Sequence, residues 1–268
     1  MRIVICAKEV LDPDAVDNYV LIGKLEIGQD GKTLTQTSIP RLMNGYDEQA
    51  IECALRLRDA GVDCKIHVVS VGTDPTKILQ HAVAMGADEV ATIPVDTGTV
   101  DGYATASLLA GFVKSLGGAD LVLCGRQASD GDQGVVPALL GEMLGLPIVT
   151  IARAVEMVDG STVRVTRVTP DGDEIVEVSC PAVITISNEF GEPRYPTGIR
   201  TMKARKVKPQ QVTPAGLDLG ESGARPRVTM TRQFVEAIIG HCEFIQGDSP
   251  AAAARELVRR LRADRTIE

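Results

Sequence analysis

The sequence has very few aromatic residues, which limits how it can build a core and hold a ligand. Phe, Tyr and Trp make up 3% of the 268 residues, and Trp is absent. A core with so few rings has to be built from Val, Ile, Leu and Ala, which suits a parallel sheet covered on both faces. Because few rings are left to stack on a planar ligand, we expect backbone and small side chains to hold any cofactor.

Paired cysteines are also missing. The 6 cysteines and 3 histidines are scattered, with no CxxC pair and no zinc or iron–sulfur spacing. We therefore expect no metal site and no disulfide framework, and we interpret these residues as structural or surface positions. They are Cys6, Cys53, Cys64, Cys124, Cys180, Cys242, His67, His81 and His241.

The chain lacks the excess of positive charge that a general nucleic-acid-binding surface needs. Its formal net charge is -8 and its pI is about 5.1, so we expect no nucleic-acid partner. No apolar run reaches the roughly 18 residues that span a bilayer, so we expect no membrane span. A strand-like run starts at Arg2 and leaves no room for a signal peptide. These absences predict a cytoplasmic protein.

Motifs for the commonest nucleotide chemistry and for nucleophilic catalysis are absent as well. No GxGxxG follows the first strand-like run, so a nicotinamide-type Rossmann site is not expected. No GxxxxGK[ST] loop is present, so P-loop ATP hydrolysis is not expected either. No Ser, Cys or His stands in a motif typical of a nucleophile. We therefore predict no catalytic residue in this chain.

Strand-like and helix-like segments alternate through the first half of the chain. Such alternation predicts right-handed βαβ units and an α/β fold with a doubly wound parallel sheet. Asn44 is expected to cap the first predicted helix, and a small hairpin is expected at 25–35. The predicted strands are 3–7, 65–71, 89–93 and 121–124, and the predicted helices are 44–58, 75–86, 101–116 and 134–144.

The pattern changes from Ile148 onward. Apolar and polar residues alternate around two Asp-Gly turns between 155 and 178, which predicts an antiparallel meander at one edge of the sheet. The run 182–186 is typical of a buried strand. Residues 188–227 are rich in Pro, Gly and charge and too long for an ordinary connection, so they are either disordered or an arm that lies on a partner. A last helix is expected from Ser249-Pro250.

Ligands of an open α/β sheet bind beyond the carboxyl ends of its strands, where the strand order reverses. Three predicted strand ends carry distinctive residues, at Ala7 to Val10, Ser70 to Thr73 and Cys124 to Gly134. The third is the strongest signal in the chain, since it combines several glycines with the start of a predicted helix. We expect a nucleotide site at this edge of the sheet.

The third strand end has the composition of a loop that approaches a phosphate closely. Gly125, Gly131 and Gly134 allow close approach of the backbone, and the next helix offers free N–H groups. Asp130 and Asp132 would repel a phosphate, so we expect them to cap the helix or to accept from ribose hydroxyls.

Four motifs in register are similar to one known family. The adenine-nucleotide loop and helix of electron transfer flavoprotein beta subunits resemble CGRQASDGD at 124–132 and LGLP at 144–147. The similarity runs from Met1 to about Lys208, and the last predicted helix fits as well. The other matching runs are MNGYDE at 43–48, VTR at 165–167, DGDE at 171–174, CPAVIT at 180–185, EPRY at 192–195 and MKARK at 202–206.

The resemblance implies an adenine nucleotide alpha hydrolase-like domain that carries electrons together with an alpha subunit. It implies FAD at the subunit junction and a second nucleotide, AMP or FAD, inside the beta subunit. The small loop at 130–132, Asp47 and the tail at 242–250 resemble the two-FAD, electron-bifurcating branch, so FAD is favoured at this site. The implied redox partner is of acyl-CoA-dehydrogenase or quinone-reductase type.

The resemblance also implies a division of the chain into three parts. We expect a nucleotide-binding α/β domain at 1–187, an extended partner-binding arm at 188–228 and a C-terminal helical segment at 229–268. In this family the basic run of the arm would lie on the alpha subunit. That run comprises Arg200, Lys203, Arg205, Lys206 and Lys208.

The cofactor-binding candidates are carried over from the same motifs. Ala7 and the glycines would act through their backbone, and Asn44 and Asp47 would reach ribose or adenine. Arg126 is either a phosphate or flavin contact or an ordinary surface charge, and Cys124 is either at the site or a buried small hydrophobe. The candidates are Ala7, Lys8, Asn44, Asp47, Ser70, Gly72, Cys124, Gly125, Arg126, Gln127, Asp130, Gly131, Asp132, Gln133, Gly134 and Val135.

Two departures from the family pattern concern contacts rather than fold. Gly134-Val135-Val136 stands where many members carry Asn-Gln-Thr or Ala-Gln-Val, so backbone donors would replace side-chain contacts to phosphate. Some members anchor a dehydrogenase through a Leu in the arm, and here Ile199 is the available replacement.

Two other functions are compatible with the same kind of sheet. A universal-stress-type nucleotide-binding protein would need a Gly-rich ATP loop ending in Gly-Ser or Gly-Thr, which is absent. An ATP-pyrophosphatase ligase would need Ser-Gly-Gly after the first strand, where the chain has Ala7 to Val10.

Overall fold

The computed structural model describes residues 1–36, 38–220, 223–235 and 242–267. Within them the chain forms two compact units, Met1–Gln233 and Phe234–Glu268. His241, interpreted above as a structural or surface residue, lies outside the described residues. No helix of the described ranges is long and apolar enough to cross a membrane.

The first unit contains all the described strands and six of the described helices. The helices are α1 (Pro13–Leu21), α2 (Gly45–Asp59), α3 (Thr76–Met85), α4 (Gly102–Ser115), α5 (Val135–Leu144) and α6 (Gly198–Ala204). The strands are β1 (Arg2–Cys6), β2 (Glu9–Leu11), β3 (Arg41–Met43), β4 (Lys65–Val71), β5 (Glu89–Ile93), β6 (Leu121–Gly125), β7 (Ile148–Met157), β8 (Thr162–Thr169), β9 (Gly172–Ser179), β10 (Ala182–Ile186) and β11 (Gln210–Gln211).

Nine of these strands form one sheet in the order β11-β5-β4-β1-β6-β10-β7-β8-β9. The strands from β11 to β7 are parallel, and β8 and β9 add an antiparallel meander at one edge. The chain moves outward from β1 to β4 and β5, then returns to β6 on the other side of β1. The strand order therefore reverses between β1 and β6, and the predicted fold class is confirmed.

Helices cover both faces of the parallel strands. Side chains of α2 and α3 pack with Ile3 and Ile5 on one face, and side chains of α4 and α5 pack with Val4 and Cys6 on the other. The interior consists largely of Val, Ile, Leu and Ala, as the shortage of aromatic residues predicts. The four predicted helices and the four predicted strands between residues 3 and 124 are found within a residue or two of their expected bounds.

Much of the segment 188–227 packs against its own domain, which leaves the expectation of a partner-binding arm untested. Ala204 of α6 is buried, and Gln80 on α3 donates to the Arg205 and Val207 carbonyls at 3.0 and 3.1 Å. β11 then pairs with β5, and Leu217 packs into the core. Two glutamines carry no local strand pattern, so this pairing is set by the exposed edge of β5.

Two helices, α1 and α6, the short strands β2 and β3, and the start of the meander were not predicted. Residues 13–21 form α1, and the Asp12 side chain caps it by accepting from Asp14 and Ala15. β7 starts at Ile148 rather than at 155, since its first half pairs with β10 in parallel before its second half pairs with β8.

The described residues of the second unit contain one helix, α7 (Pro250–Ala263). The Ser249 hydroxyl accepts from the Ala252 N–H at 3.2 Å, which confirms the predicted start. Arg260 bonds to Glu256 one turn earlier and to Glu243 in the preceding segment.

Candidate functional site

The carboxyl ends of β1 and β6 lie side by side where the strand order reverses. Cys6 is the register partner of Cys124, so the residues that follow these two strands meet at the carboxyl edge of the sheet. We call this part of the edge, between β1 and β6, the lip. There the Lys8 Nζ lies 2.6 Å from Asp130 Oδ1, with both side chains partly exposed. The structure thus brings together two of the three strand ends that the sequence singled out.

The side chain of Asp47, in the first turn of α2, is hydrogen-bonded to both of these strand ends. Its two carboxylate oxygens accept from the backbone N–H of Lys8 at 2.8 Å and of Gly125 at 2.9 Å. Any Cβ at residue 125 would collide with the Asp47 carboxylate and with Tyr46, so glycine is required there. Because Asp47 is buried and both of its oxygens are engaged, it holds backbone in this structure, whereas the sequence suggested contact with ribose or adenine.

Burial and hydrogen bonding act in opposite directions on the Asp47 carboxyl. Burial raises its pKa to about 7, and the hydrogen bonds from Lys8 and Gly125 limit the rise. A carboxyl with this pKa changes charge near neutral pH, in direct contact with the backbone of the candidate site.

Asn44 occupies the N-cap position of α2, but its side chain does not cap the helix. The side-chain amide instead donates to the Gln127 carbonyl at 2.8 Å and accepts from the Ser129 N–H at 3.3 Å. The predicted capping role is therefore wrong, since the Asn44 side chain is hydrogen-bonded to the loop after β6 instead. Asn44 and Asp47 together fix that loop to the start of α2.

The loop from 126 to 134 is held in an unusual backbone conformation. Asp132 and Gly134 have φ values of 50° and 60°, a region that favours Gly, Asn and Asp. The Gln127 side chain donates to Asp132 Oδ1 at 2.8 Å, and the Asp132 N–H bonds to the Ala128 carbonyl at 2.9 Å. These bonds close the loop on itself and leave residues 130–135 exposed.

The start of α5 presents unpaired hydrogen-bond donors next to this loop. Among the described residues, none accepts from the backbone N–H of Gln133, Gly134, Val135 or Val136, and no side chain caps the helix. The first N–H groups of a helix carry partial positive charge and bind anions readily. Together with Lys8, they fit a phosphate group.

Several candidates lie below the surface that a ligand would touch. Ser70 and Cys124 are 0% and 3% exposed, so their side chains belong to the core in this conformation. A hydrogen bond with Cys6, together with burial, raises the pKa of Cys124 well above its usual range, which keeps it a neutral thiol. Gly72 is buried and donates to the Ile93 carbonyl at 3.1 Å.

The remaining candidates are placed at the lip itself. Ala7 is buried and its N–H bonds to the Val69 carbonyl, so only its carbonyl side is free for a ligand. The Arg126 guanidinium lies 5.7 Å from the centre of the Tyr46 ring, and its Nε donates to Gln127 at 3.3 Å. Arg126 and Gln127 are half-buried at the lip. The exposed candidates there are Lys8, Asp130, Gly131, Asp132, Gln133, Gly134 and Val135.

A groove next to the loop involves residues that the sequence did not suggest. It has a volume of about 250 Å³ and lies between the loop, the first turn of α5 and the strands β7 and β10. Thr150, Ile151 and Thr185 line it beside Arg126 and Gln127. No local pattern marks these residues, because they become neighbours only through the pairing of β7 with β10.

The start of the arm is fixed to α2 by an ion-pair network around the buried Glu52. Glu52 accepts three hydrogen bonds from Arg194, at 3.1 Å from the backbone N–H and at 2.7 and 3.2 Å from the guanidinium. Arg56 adds a fourth bond at 2.9 Å. Burial raises the pKa of Glu52, but the bonds from Arg194 and Arg56 outweigh it and hold the pKa below its usual range.

An apolar patch follows this network along the chain. Tyr195, Ile199 and Met202 are 94%, 70% and 69% exposed. Large side chains displayed together in this way are typical of an interaction surface. We call these three residues the arm patch.

The comparisons with known proteins agree with the geometry. The model of the electron transfer flavoprotein domain matches residues 32–217. The chain is 30% identical over 280 residues to an electron transfer flavoprotein subunit beta of Megasphaera elsdenii, and all of both chains is covered.

Two further relatives are named as parts of larger complexes. The chain is 30% identical over 272 residues to the caffeyl-CoA reductase-Etf complex subunit CarD of Acetobacterium woodii, again over all of both chains. It is 35% identical over 202 residues to the acryloyl-CoA reductase electron transfer subunit gamma of Anaerotignum propionicum, covering 74% of this chain and 72% of that protein. The chain belongs to the electron transfer flavoprotein family, among its beta subunits.

Proposed function

We propose that this beta subunit binds an adenine nucleotide at the lip between β1 and β6 and carries electrons as a heterodimer with an alpha subunit. The observation that carries the proposal is the group of four unpaired backbone N–H donors, from Gln133 to Val136, beside Lys8. A phosphate bound there would satisfy these donors and sit in the field of the α5 N-terminus.

Each group at the lip has a definite task in this proposal. The backbone N–H groups from Gln133 to Val136 hold phosphate, and Lys8 adds a positive charge. Asp130 and Asp132 accept from ribose hydroxyls, while Asn44 and Asp47 act indirectly by fixing the loop backbone. Flavin, when bound, supplies one- and two-electron redox chemistry that side chains do not provide. The chain itself binds, orients and shields the cofactor.

We propose FAD rather than AMP as the occupant of the beta site, next to a second FAD shared with the alpha subunit, in an arrangement for flavin-based electron bifurcation. Two observations support this. The loop at 130–132 is small and exposed, which leaves room for a ligand larger than AMP. Two relatives are subunits of caffeyl-CoA reductase and acryloyl-CoA reductase systems.

The partner surfaces follow from the arm. We propose that the basic run of the arm, from Arg200 to Lys208, contacts the alpha subunit. We further propose that the arm patch binds the redox partner, of acyl-CoA-dehydrogenase or quinone-reductase type, with Ile199 at its centre. In this proposal residues 1–187 are the nucleotide-binding domain, residues 188–228 are the partner-binding arm, and residues 229–268 are a C-terminal helical segment. We also propose that the complex works in the cytoplasm.

The test is to co-express the chain with its alpha subunit, purify the heterodimer and count FAD and AMP per heterodimer. Two FAD would support the bifurcating arrangement. One FAD and one AMP would support the nucleotide site and simple electron transfer, and would overturn the choice of FAD. A single FAD with no other adenine compound would contradict the proposed nucleotide site.

A further inference from the structure

The groove beside β7 and β10 lies on the other flank of the loop from the Lys8–Asp130 ion pair. β6 leads into the loop, with β1 on one side of it and β10 and β7 on the other. The ion pair belongs to the β1 side, and the groove of about 250 Å³ belongs to the β10 side. A ligand at the loop therefore has space to continue in a second direction.

Four of the nine residues that line this groove carry side-chain hydrogen-bond donors, and the other five are glycine or apolar. Thr185 Oγ1 accepts from the Ile151 N–H at 2.8 Å, and Thr150 Oγ1 accepts from Arg167 at 3.1 Å. Each hydroxyl still has its own proton to donate, because a hydroxyl can accept and donate at once. Arg126 adds a guanidinium, and none of the residues that line the groove is acidic. Such a lining favours an anionic group rich in acceptor oxygens.

The backbone of Ile151 is held in a conformation that a β-branched residue rarely adopts. Its φ is 62°, and the register between β10 and β7 shifts at this point. The Thr185 side chain, rather than a ladder carbonyl, accepts its N–H. Strained backbone of this kind is concentrated at functional sites. In this protein the strained residue, Ile151, lines the groove at the point where the register between β7 and β10 shifts.

The groove and the proposed phosphate site share two residues. Gln127 and Gly134 line the groove, and Gly134 is also one of the four unpaired N–H donors. A ligand whose first phosphate lies at those donors can therefore continue into the groove without crossing protein. AMP ends at that phosphate, whereas FAD continues with a second phosphate and a ribityl chain.

We infer that the groove takes the second phosphate and the polyol chain of a dinucleotide, so that Thr150 and Thr185 select FAD over AMP in the beta subunit. The inference rests on the proposed nucleotide site. The volume fits a phosphorylated polyol but not a whole additional nucleotide, since pockets for drug-sized ligands start at about 300 Å³.

The test uses the heterodimer with its alpha-side flavin retained and measures the dissociation constants of FAD and AMP for the beta site by equilibrium dialysis. The variants are Thr150→Val and Thr185→Val, which remove one hydroxyl each at nearly constant volume. Thr150→Ser and Thr185→Ser are the matched controls, because they retain the hydroxyl.

We expect Thr150→Val to raise the dissociation constant of FAD by about fivefold to tenfold, the effect of one lost hydrogen bond. The constant for AMP is expected to change less than about twofold, and Thr150→Ser to restore FAD binding. Thr185→Val is expected to act in the same direction, with Thr185→Ser close to wild type.

Equal weakening of FAD and AMP, or an unchanged constant for FAD, would overturn the inference. These outcomes are distinct from failure of the proposed function, in which the wild-type beta site would bind neither probe.

Discussion

At the scale of single residues, the site depends on side chains that hold backbone rather than ligand. Asp47 and Asn44 are buried, and between them they make four bonds to the backbone of Lys8, Gly125, Gln127 and Ser129. The family resemblance implied that they contact ribose or adenine directly. Only the packing of α2 under the loop reveals their indirect role, and the sequence could not show it.

The raised pKa of Asp47 predicts that this residue makes stability depend on pH. The folded state keeps the proton up to about pH 7, whereas the unfolded chain releases it near 3.8. Its contribution is therefore complete below about pH 3.8 and is lost as pH rises to about 7.

Between pH 5 and pH 8 we expect the heterodimer to lose about 2.5 kcal/mol of stability relative to Asp47→Asn, because a slope of about 1.4 kcal/mol per pH unit applies over about two units below pH 7. In thermal unfolding this corresponds to a fall of about 5 to 10 °C in the difference between the midpoints of wild type and variant. A difference that stays constant with pH, or grows, would show that Asp47 is not a neutral carboxyl in the folded state.

A second prediction at this scale concerns Asp132, whose backbone has a positive φ and whose side chain accepts from Gln127. Asp132→Ala removes the acceptor and places a residue that disfavours this φ in the loop. We expect it to raise the dissociation constant of the beta-site nucleotide about tenfold while the alpha-side flavin stays bound.

Asp132→Asn is the matched control, because Asn tolerates a positive φ and can still accept from Gln127. We expect its effect to be smaller than about threefold. Equal loss of both cofactors in Asp132→Ala, measured by extraction and chromatography of bound nucleotides, would argue against a local role for this residue.

At the scale of elements, α2 connects the loop to the arm. Its first turn holds the loop through Asn44 and Asp47, and its later turns hold the start of the arm through Glu52 and Arg56. The first residues of the arm are therefore held against α2 and do not form a free linker. The run EPRY pointed to an arm at 192–195, but its ion-pair partners on α2 are more than a hundred residues away in sequence.

Replacing Glu52 by Gln should loosen the arm without disturbing the loop. A buried carboxylate that accepts from two guanidinium groups is costly to neutralise, because both cations lose their partner. We expect amide hydrogen exchange of residues 188–204 to rise about tenfold or more in the heterodimer, with residues 125–135 unchanged.

Glu177→Gln provides a comparison on a solvent-exposed ion pair with Arg164, where little change is expected. If both variants raised exchange in the arm equally, or if the loop loosened as much as the arm, the proposed base of the arm would be wrong.

Elements with a strong local pattern could be predicted from the sequence, and elements that depend on distant partners could not. The runs 65–71, 89–93 and 182–186 are rich in Val, Ile and Thr, and each forms a strand with those bounds. The helix α1 has a local start signal, Asp12 followed by Pro13. β11 has no such signal and exists because β5 leaves an edge to pair with.

At the scale of the whole molecule, the chain is built to act in a complex. It displays the arm patch, it has no predicted catalytic residue, and it belongs to a family of beta subunits. The sequence motifs identified the family and predicted a site at the loop after β6, because both inferences depend on short runs. They could not identify the groove at Thr150 and Thr185, which is assembled by the sheet.

The arm patch predicts a separation between docking and cofactor binding. Ile199→Glu places a charge in its centre, so we expect the KM for the redox partner to rise about tenfold in electron-transfer assays while the flavin content stays unchanged. Ile175→Glu on β9 is the matched control, since Ile175 is 69% exposed and Ile199 is 70% exposed. A similar rise in KM for both variants would remove the arm patch from the docking surface.

The most direct test of the central claim is native mass spectrometry of the heterodimer, with dissociation into subunits in the gas phase. The glycine-containing loop after β6 and the start of α5 are proposed to grip an adenosine phosphate within this chain. We predict that the released beta subunit carries the added mass of FAD. A beta subunit released without any adenine compound, while the alpha subunit retains its flavin, would contradict the account.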